Sequence, residues 1–166
     1  ANIAHGNSSI IADEIALSLC DYVVTEAGFG SDMGMEKFFN IKYRTSKTAP
    51  SCIVLVATVR SLKANSGLAK PTQEMMTHPN LELLKVGSAN LKWHIQNAKS
   101  YGLPVIVAIN RFSTDSKEEI DYLQKFALTE GAFACEVSEL FTQGGKGGES
   151  LAKQIILACD QKSNVQ

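Results

Sequence analysis

Val105-Ile106-Val107-Ala108-Ile109-Asn110 decides the fold. Its apolar residues are mostly β-branched and run without the alternation of a half-exposed strand, so the segment reads as a strand buried on both faces. Cys52 to Thr58 has the same character, Ala134 to Ser138 a weaker version of it, and Tyr22 to Thr25 a shorter one. Helical patterns lie between these runs. Ser8 or Ser9 can cap a helix through Cys20 in which Ile11, Ile15 and Leu19 recur every four residues. Leu81, Leu84, Leu91 and Ile95 mark a long helix ending near Gly102 and Pro104. Asp115 with Glu118 resembles a capping box ahead of Ile120, Leu123 and Phe126. Ser150 to Leu157 reads as the last helix. Strand alternating with helix predicts an α/β fold, a doubly wound and mostly parallel sheet with helices on both faces and right-handed crossovers.

The rest of the composition narrows the class. With 166 residues and 45% apolar content, the chain can bury one sizeable core. Sixteen basic and 17 acidic residues give a net charge of -1, which offers no field for nucleic acid and no polybasic anchor for a membrane. Small molecules are the expected partners. Cys20, Cys52, Cys135 and Cys159 lack CxxC spacing and read as buried thiols of a reducing, cytoplasmic compartment rather than disulfides or zinc ligands. No repeat or low-complexity segment breaks the chain, so residues 1–166 read as a single α/β segment. Ala1 enters without Met in mid-pattern, as in a piece of a longer protein. Asn65 to Asn80 holds Gly67, Pro71 and Pro79 without periodicity, and reads as a mobile loop over the site.

Ligands of such sheets bind at the carboxyl ends of the strands. Glu26-Ala27-Gly28-Phe29-Gly30-Ser31-Asp32-Met33-Gly34 is a glycine-rich turn after the first apolar run, leading to a helix expected near Met35. Its glycines can take positive φ and bring amides to a phosphate; a tight turn needing glycine for geometry alone is the alternative. The GxGxxxG spacing also fits a dinucleotide site. That reading needs an acid at the end of the next strand, where Thr58-Val59-Arg60-Ser61 has none. Arg60 is placed to grip phosphate or carboxylate, or to make a surface ion pair. Asn110-Arg111-Phe112-Ser113-Thr114-Asp115 sets an amide beside an aromatic, suiting a heterocycle or, for Phe112, core packing. Phe141-Thr142-Gln143-Gly144-Gly145-Lys146-Gly147-Gly148 sets an aromatic before a flexible glycine loop. G-x-x-x-x-G-K-[ST], G-x-S-x-G and H-E-x-x-H are all absent from this sequence. His78 and His94 are scattered, and His94 beside Trp93 reads as packing or surface. His5 precedes a helix start.

Taken together, NIAHGNSS (Asn2 to Ser9), VTEAGFGSDMGMEK (Val24 to Lys37), LVATVRSLK (Leu55 to Lys63), PVIVAINRFSTD (Pro104 to Asp115) and GGKGG (Gly144 to Gly148) resemble, in order and spacing, the second part of the formate-tetrahydrofolate ligase family. The resemblance implies a P-loop NTPase-like core whose P-loop lies outside this sequence. It further implies ATP-dependent ligation of formate to tetrahydrofolate through formyl phosphate, giving 10-formyltetrahydrofolate, ADP and phosphate, with Mg2+ and a monovalent cation. Carried over by position, Phe29, Phe112 and Phe141 would wall the folate site, and Gly28, Gly30, Thr58, Asn110, Gly144 and Gly145 would face nucleotide or phosphate. Arg60, Asp32 and His5 would be catalytic, and no residue is assigned to a resident metal. The family is commonly oligomeric, so a homo-oligomer is implied. The sequence departs from the family's usual residues with Phe at 141 for Trp, Tyr at 43 for Cys and Ser at 31 for Ala, and with Ala64-Asn65-Ser66-Gly67 in place of a His-Gly-Gly-like turn. A relative that binds folate or nucleotide without chemistry is the alternative reading, and without its P-loop segment the piece is expected to be inactive alone.

Overall fold

The computed structural model describes residues 6–67, 70–162 and 165. The chain divides into two compact units, Ala1–Pro50 and Ser51–Gln166, each described here by itself.

In the first unit, Ser9 starts helix α1 (Ile10–Leu19) by accepting the Ala12 N–H on its hydroxyl at 3.3 Å. The Ile11, Ile15 and Leu19 stripe is exposed, and α1 has no buried residue. Tyr22 to Thr25, expected as a strand, has no regular structure. Tyr22 and Val24 are exposed, and the one sheet among the described residues lies in the other unit. β-Branched content makes a strand only where a neighbour supplies the ladder. Helix α2 (Ser31–Lys37) begins four residues before Met35 and runs on through a π-helix (Phe38–Tyr43) into α3 (Arg44–Ser46). Lys47, at φ 60°, closes the run in the left-handed region. Buried Lys42, on the π-helix, pairs with Asp13 of α1 and donates to the Ser8 hydroxyl at 3.0 Å.

The second unit is built on three parallel strands in chain order, β1 (Ile53–Ala57), β2 (Val105–Asn110) and β3 (Ala134–Ser138). Ile53 pairs with Val105, Ile106 with Ala134 and Asn110 with Ser138. Between β1 and β2 lie α4 (Val59–Ala64), α5 (Gln73–Thr77) and α6 (Leu81–Lys99); α7 (Lys117–Thr129) joins β2 to β3. After β3 come α8 (Leu140–Gln143), a 3-10 turn (Gly144–Gly148) and α9 (Glu149–Cys159). Ile106, Ala108 and Ala134 cluster with Leu151 and Ala158 of α9 on one face. The alternate residues Val105, Val107 and Ile109 are buried as well, and α6 and α7 pack against the strands and each other. Burial of both faces explains the unbroken apolar run of β2.

Three local expectations shift. The capping box of α7 is Ser116 with Glu119, one residue later than Asp115 with Glu118: the Ser116 hydroxyl accepts the Glu119 N–H at 3.2 Å and the Glu119 carboxylate accepts the Ser116 N–H at 3.1 Å. The 65–80 segment contains α5, capped by Thr72. The GGKGG stretch is a 3-10 turn rather than an irregular loop. Of the cysteines, Cys135 is buried, Cys52 and Cys159 are half-buried with sulfurs 3.8 Å apart, and Cys20 is exposed. Burial, aided by the neighbouring Cys159, pushes the Cys52 thiol up to about 12, so it stays protonated at neutral pH. No helix among the described residues is long and apolar enough to cross a membrane.

Candidate functional site at the carboxyl edge of the sheet

Strand β1 delivers its chain to Thr58, which caps α4: the hydroxyl accepts the Ser61 N–H at 3.0 Å. One residue into that helix, Arg60 swings over the exit of β2. Its guanidinium carbon lies 4.0 Å from the centroid of the Phe112 ring, and Nη2 donates to the Thr114 hydroxyl at 3.2 Å. Arg60 Nε is buried and has no hydrogen-bond partner among the described residues. A buried guanidinium N–H without an acceptor is a donor left to be satisfied. Phe112 is therefore neither core filler nor free: one face of its ring carries a cation.

Phe112 is fixed from behind by Asp115, whose carboxylate accepts the Phe112 N–H at 2.8 Å. Asp115 is buried, and desolvation raises its pKa, opposed by the Phe112 N–H, reinforced by Glu119 and opposed again by Arg60 and Lys63. A carboxylate whose folded pKa lies above its unfolded value of about 3.9 loses relative stability as pH rises through that window. Asp115→Asn keeps an acceptor for the amide without the charge. Its melting temperature should gain on the parent between about pH 4 and neutrality, and a difference that stays flat or moves the other way would refute the burial effect.

Asn110 closes β2 opposite Ser138 and is exposed. The next residue ties the exits of β2 and β3 together, with Arg111 N donating to Ser138 O at 3.2 Å and its guanidinium meeting Glu139 at 2.9 Å. Glu139 also accepts from Gln143 Nε2 at 2.8 Å, and its N–H donates to Gly147 O at 3.0 Å. This fastens α8 and the 3-10 turn to the sheet edge and leaves Phe141, on α8, 97% exposed. Gly147 must be glycine because a Cβ there would strike the Glu139 carbonyl. Gly144 takes φ 58° to enter the turn. Thus Thr58, Arg60, Asn110, Phe112, Phe141, Gly144 and Gly145 all follow the carboxyl ends of the three strands, where ligands of parallel sheets bind.

The glycine turn of the other unit differs from expectation. Gly28 and Gly30 are not the residues with positive φ; Phe29 is, at 72°, with its ring 71% exposed and the Lys37 ammonium 4.6 Å from its centroid. Because α2 starts at Ser31, Gly30 is its extended N-cap at φ -59°, and the reversal falls one residue earlier. A non-glycine residue held there costs about 1–3 kcal/mol. Asp32 lies in the first turn of α2. His5 falls outside the described residues. Among the described residues, no group of three or more His, Cys, Asp or Glu could hold a metal ion.

Two groups escaped the sequence reading. Asp115 fits a helix-start pattern in sequence, and nothing local shows its carboxylate turned back to the Phe112 amide three residues earlier. Lys63 and Glu119, far apart in sequence, are each 1% exposed and form a buried ion pair. Burial opposes the Glu119 charge, but bonds from Lys63, the Asn80 N–H and Ser116 hold its pKa below the usual carboxylate range.

The family model described as formate–tetrahydrofolate ligase matches residues 1–166. Three curated relatives carry that same name. The protein from Yersinia enterocolitica is 62% identical over 98% of this chain and 29% of its own length. Those from Aeromonas hydrophila and Vibrio vulnificus are 58% and 55% identical over 100% and 99% of this chain, and 30% and 29% of their own lengths. The chain therefore spans about three-tenths of the relatives it matches.

Proposed function

We propose, on the premise that this chain belongs to the formate–tetrahydrofolate ligase family, that it supplies the folate wall and part of the nucleotide site of an ATP-dependent formate–tetrahydrofolate ligase. The observation that carries the reading is the Arg60 guanidinium stacked on Phe112 at the carboxyl edge of a parallel sheet. A flat ring backed by a cation suits a pterin, and Phe141, with nearly its whole side chain exposed, is the candidate for the opposite face. In the proposed reaction a formate oxygen attacks the γ-phosphorus of ATP and ADP leaves. The folate N10 then attacks the formyl carbon, phosphate departs and N10 loses its proton, giving 10-formyltetrahydrofolate. Catalysis without an enzyme nucleophile rests on positioning and charge neutralisation.

Arg60 would neutralise the phosphate or formyl oxygens; for Asp32 and His5 a catalytic role, and for Phe29 a folate-binding one, rest on the family resemblance of their own segments. Thr58, Asn110, Gly28, Gly30, Gly144 and Gly145 would face the nucleotide and its phosphates. Mg2+ would arrive on the nucleotide, whose phosphates it would help neutralise, and a monovalent cation would accompany the reaction. In the ligase, this segment would be part of a doubly wound, P-loop NTPase-like core, with 70–80, which carries α5, as a mobile cover. A cytoplasmic homo-oligomer is the corresponding assembly.

The test is formate-dependent ADP release, with and without tetrahydrofolate, by the full-length ligase and by its Phe112→Ala/Phe141→Ala variant. Loss of stacking should weaken folate binding by about 1–3 kcal/mol per ring, with the formate and ATP terms nearly unchanged. A parent that binds folate yet shows no formate-dependent turnover would instead identify a non-catalytic binding relative.

A further inference from the structure

Arg60 and Lys63 lie one turn apart on α4, while Phe112, Asp115 and Glu119 follow one another from the end of β2 into α7. The two segments therefore meet in two layers. The outer layer is the Arg60–Phe112 stack. The inner layer is the Lys63–Glu119 ion pair, each side chain 1% exposed. Glu119 accepts also from Asn80 N at 2.9 Å, Ser116 N at 3.1 Å and Ser116 Oγ at 2.9 Å, and Lys63 donates also to His78 O at 2.8 Å. One buried contact thus gathers α4, the chain entering α6 and the N-terminus of α7.

Apolar side chains of similar volume hold such a place as well as a buried ion pair does, and often better, because desolvating two charges offsets their attraction. What the pair provides that apolar packing does not is direction. The direct Lys63–Glu119 contact, steadied by the bonds of Glu119 to Asn80 and Ser116 and of Lys63 to His78, sets how far α4 stands from the start of α7, and that distance is the one across which Arg60 lies on Phe112. The outer layer has no comparable anchor. Among the described residues, the one side-chain hydrogen bond of Arg60 is to Thr114, and Phe112 is held by its own N–H on Asp115.

We propose that Lys63 and Glu119 are positioning residues for the folate wall: they touch no substrate, and they set the Arg60–Phe112 stack on which the pterin ring would lie. This rests on the folate reading of Phe112 given above, and the experiment separates the two. In the full-length ligase, Lys63→Met/Glu119→Leu replaces the pair by apolar side chains of similar volume. The proposal expects the melting temperature to be kept while the tetrahydrofolate KM rises about tenfold, the scale of a lost stacking contact, with the ATP KM unchanged. A folded double variant with the parent's tetrahydrofolate KM would overturn it, since packing alone would then suffice. If the double variant does not fold, Glu119→Gln, which keeps the shape and drops the charge, decides by the same two KM values. Phe112→Ala is run beside them. A tetrahydrofolate KM unchanged in that variant overturns the folate wall itself, whereas a rise there with none in the double variant overturns only the positioning role.

Discussion

Lys63→Met alone is expected to destabilise the full-length ligase by about 3–5 kcal/mol in the unit that carries it. The substitution strands the Glu119 carboxylate at 1% exposure with its cation gone and only amide and hydroxyl donors left. It also frees the His78 carbonyl that Lys63 Nζ had bonded. Adding Glu119→Leu removes the stranded charge, so the double variant should recover most of the loss. That inversion, one change severe and two mild, is the signature of a buried ion pair and would not arise from a surface bridge. Thermal melting, with hydrogen exchange at the β2 amides to localise the effect, checks it. A single-variant loss under about 1 kcal/mol would mean that water reaches the pair.

Gly87→Ala should be the second costly change. In most helices this exchange stabilises by about 0.5–1 kcal/mol. Here α6 runs so close to α4 that a Cβ at residue 87 would overlap the Leu62 carbonyl oxygen and stand 2.6 Å from its carbon. Neither group is the end of a flexible side chain, so the helices must part. Overpacking of this kind costs about 1–3 kcal/mol, and the upper end is expected because backbone meets backbone. Parting the helices also moves Arg60, which α4 carries, so the tetrahydrofolate KM should rise with the fall in melting temperature. A neutral or stabilising Gly87→Ala would show that α4 gives way at no cost.

How much of this could be read beforehand depended on where each cause lay. Strand β2 was legible to the residue because burial on both faces writes itself as an unbroken apolar run, whereas β3, interrupted by Glu136 and only partly buried, carries that signal weakly. Tyr22 to Thr25 carries the same residue types without the partner, and a strand is a property of pairs. The Ser116–Glu119 box was one residue out of reach because Asp115 also fits the cap pattern, and only the fold shows Asp115 turned back to the Phe112 amide. Arg60 and Phe112 were each singled out from their places after strands, but their stacking depends on the spacing of α4 and α7. Lys63 and Glu119 give no local sign at all, since Lys and Glu are ordinary on helix surfaces. The positive φ of Phe29 was hidden because two glycines flank it and glycine is the usual bearer of that conformation.

The strands stand side by side in the order in which the chain makes them, β1, β2, β3, all pointing one way. A sheet wound like this has no strand inserted between two earlier ones, so each crossover is a neighbour-to-neighbour step and nothing has to be threaded. Its outer rows of amides and carbonyls on β1 and β3 can accept further strands without disturbing a pairing already made. Growth at either margin also leaves the carboxyl edge in place, since new parallel strands would simply lengthen the shelf on which Arg60, Phe112 and Phe141 stand. In architectural terms the unit is extensible by addition alone, and a binding edge built on it can be widened without being rebuilt.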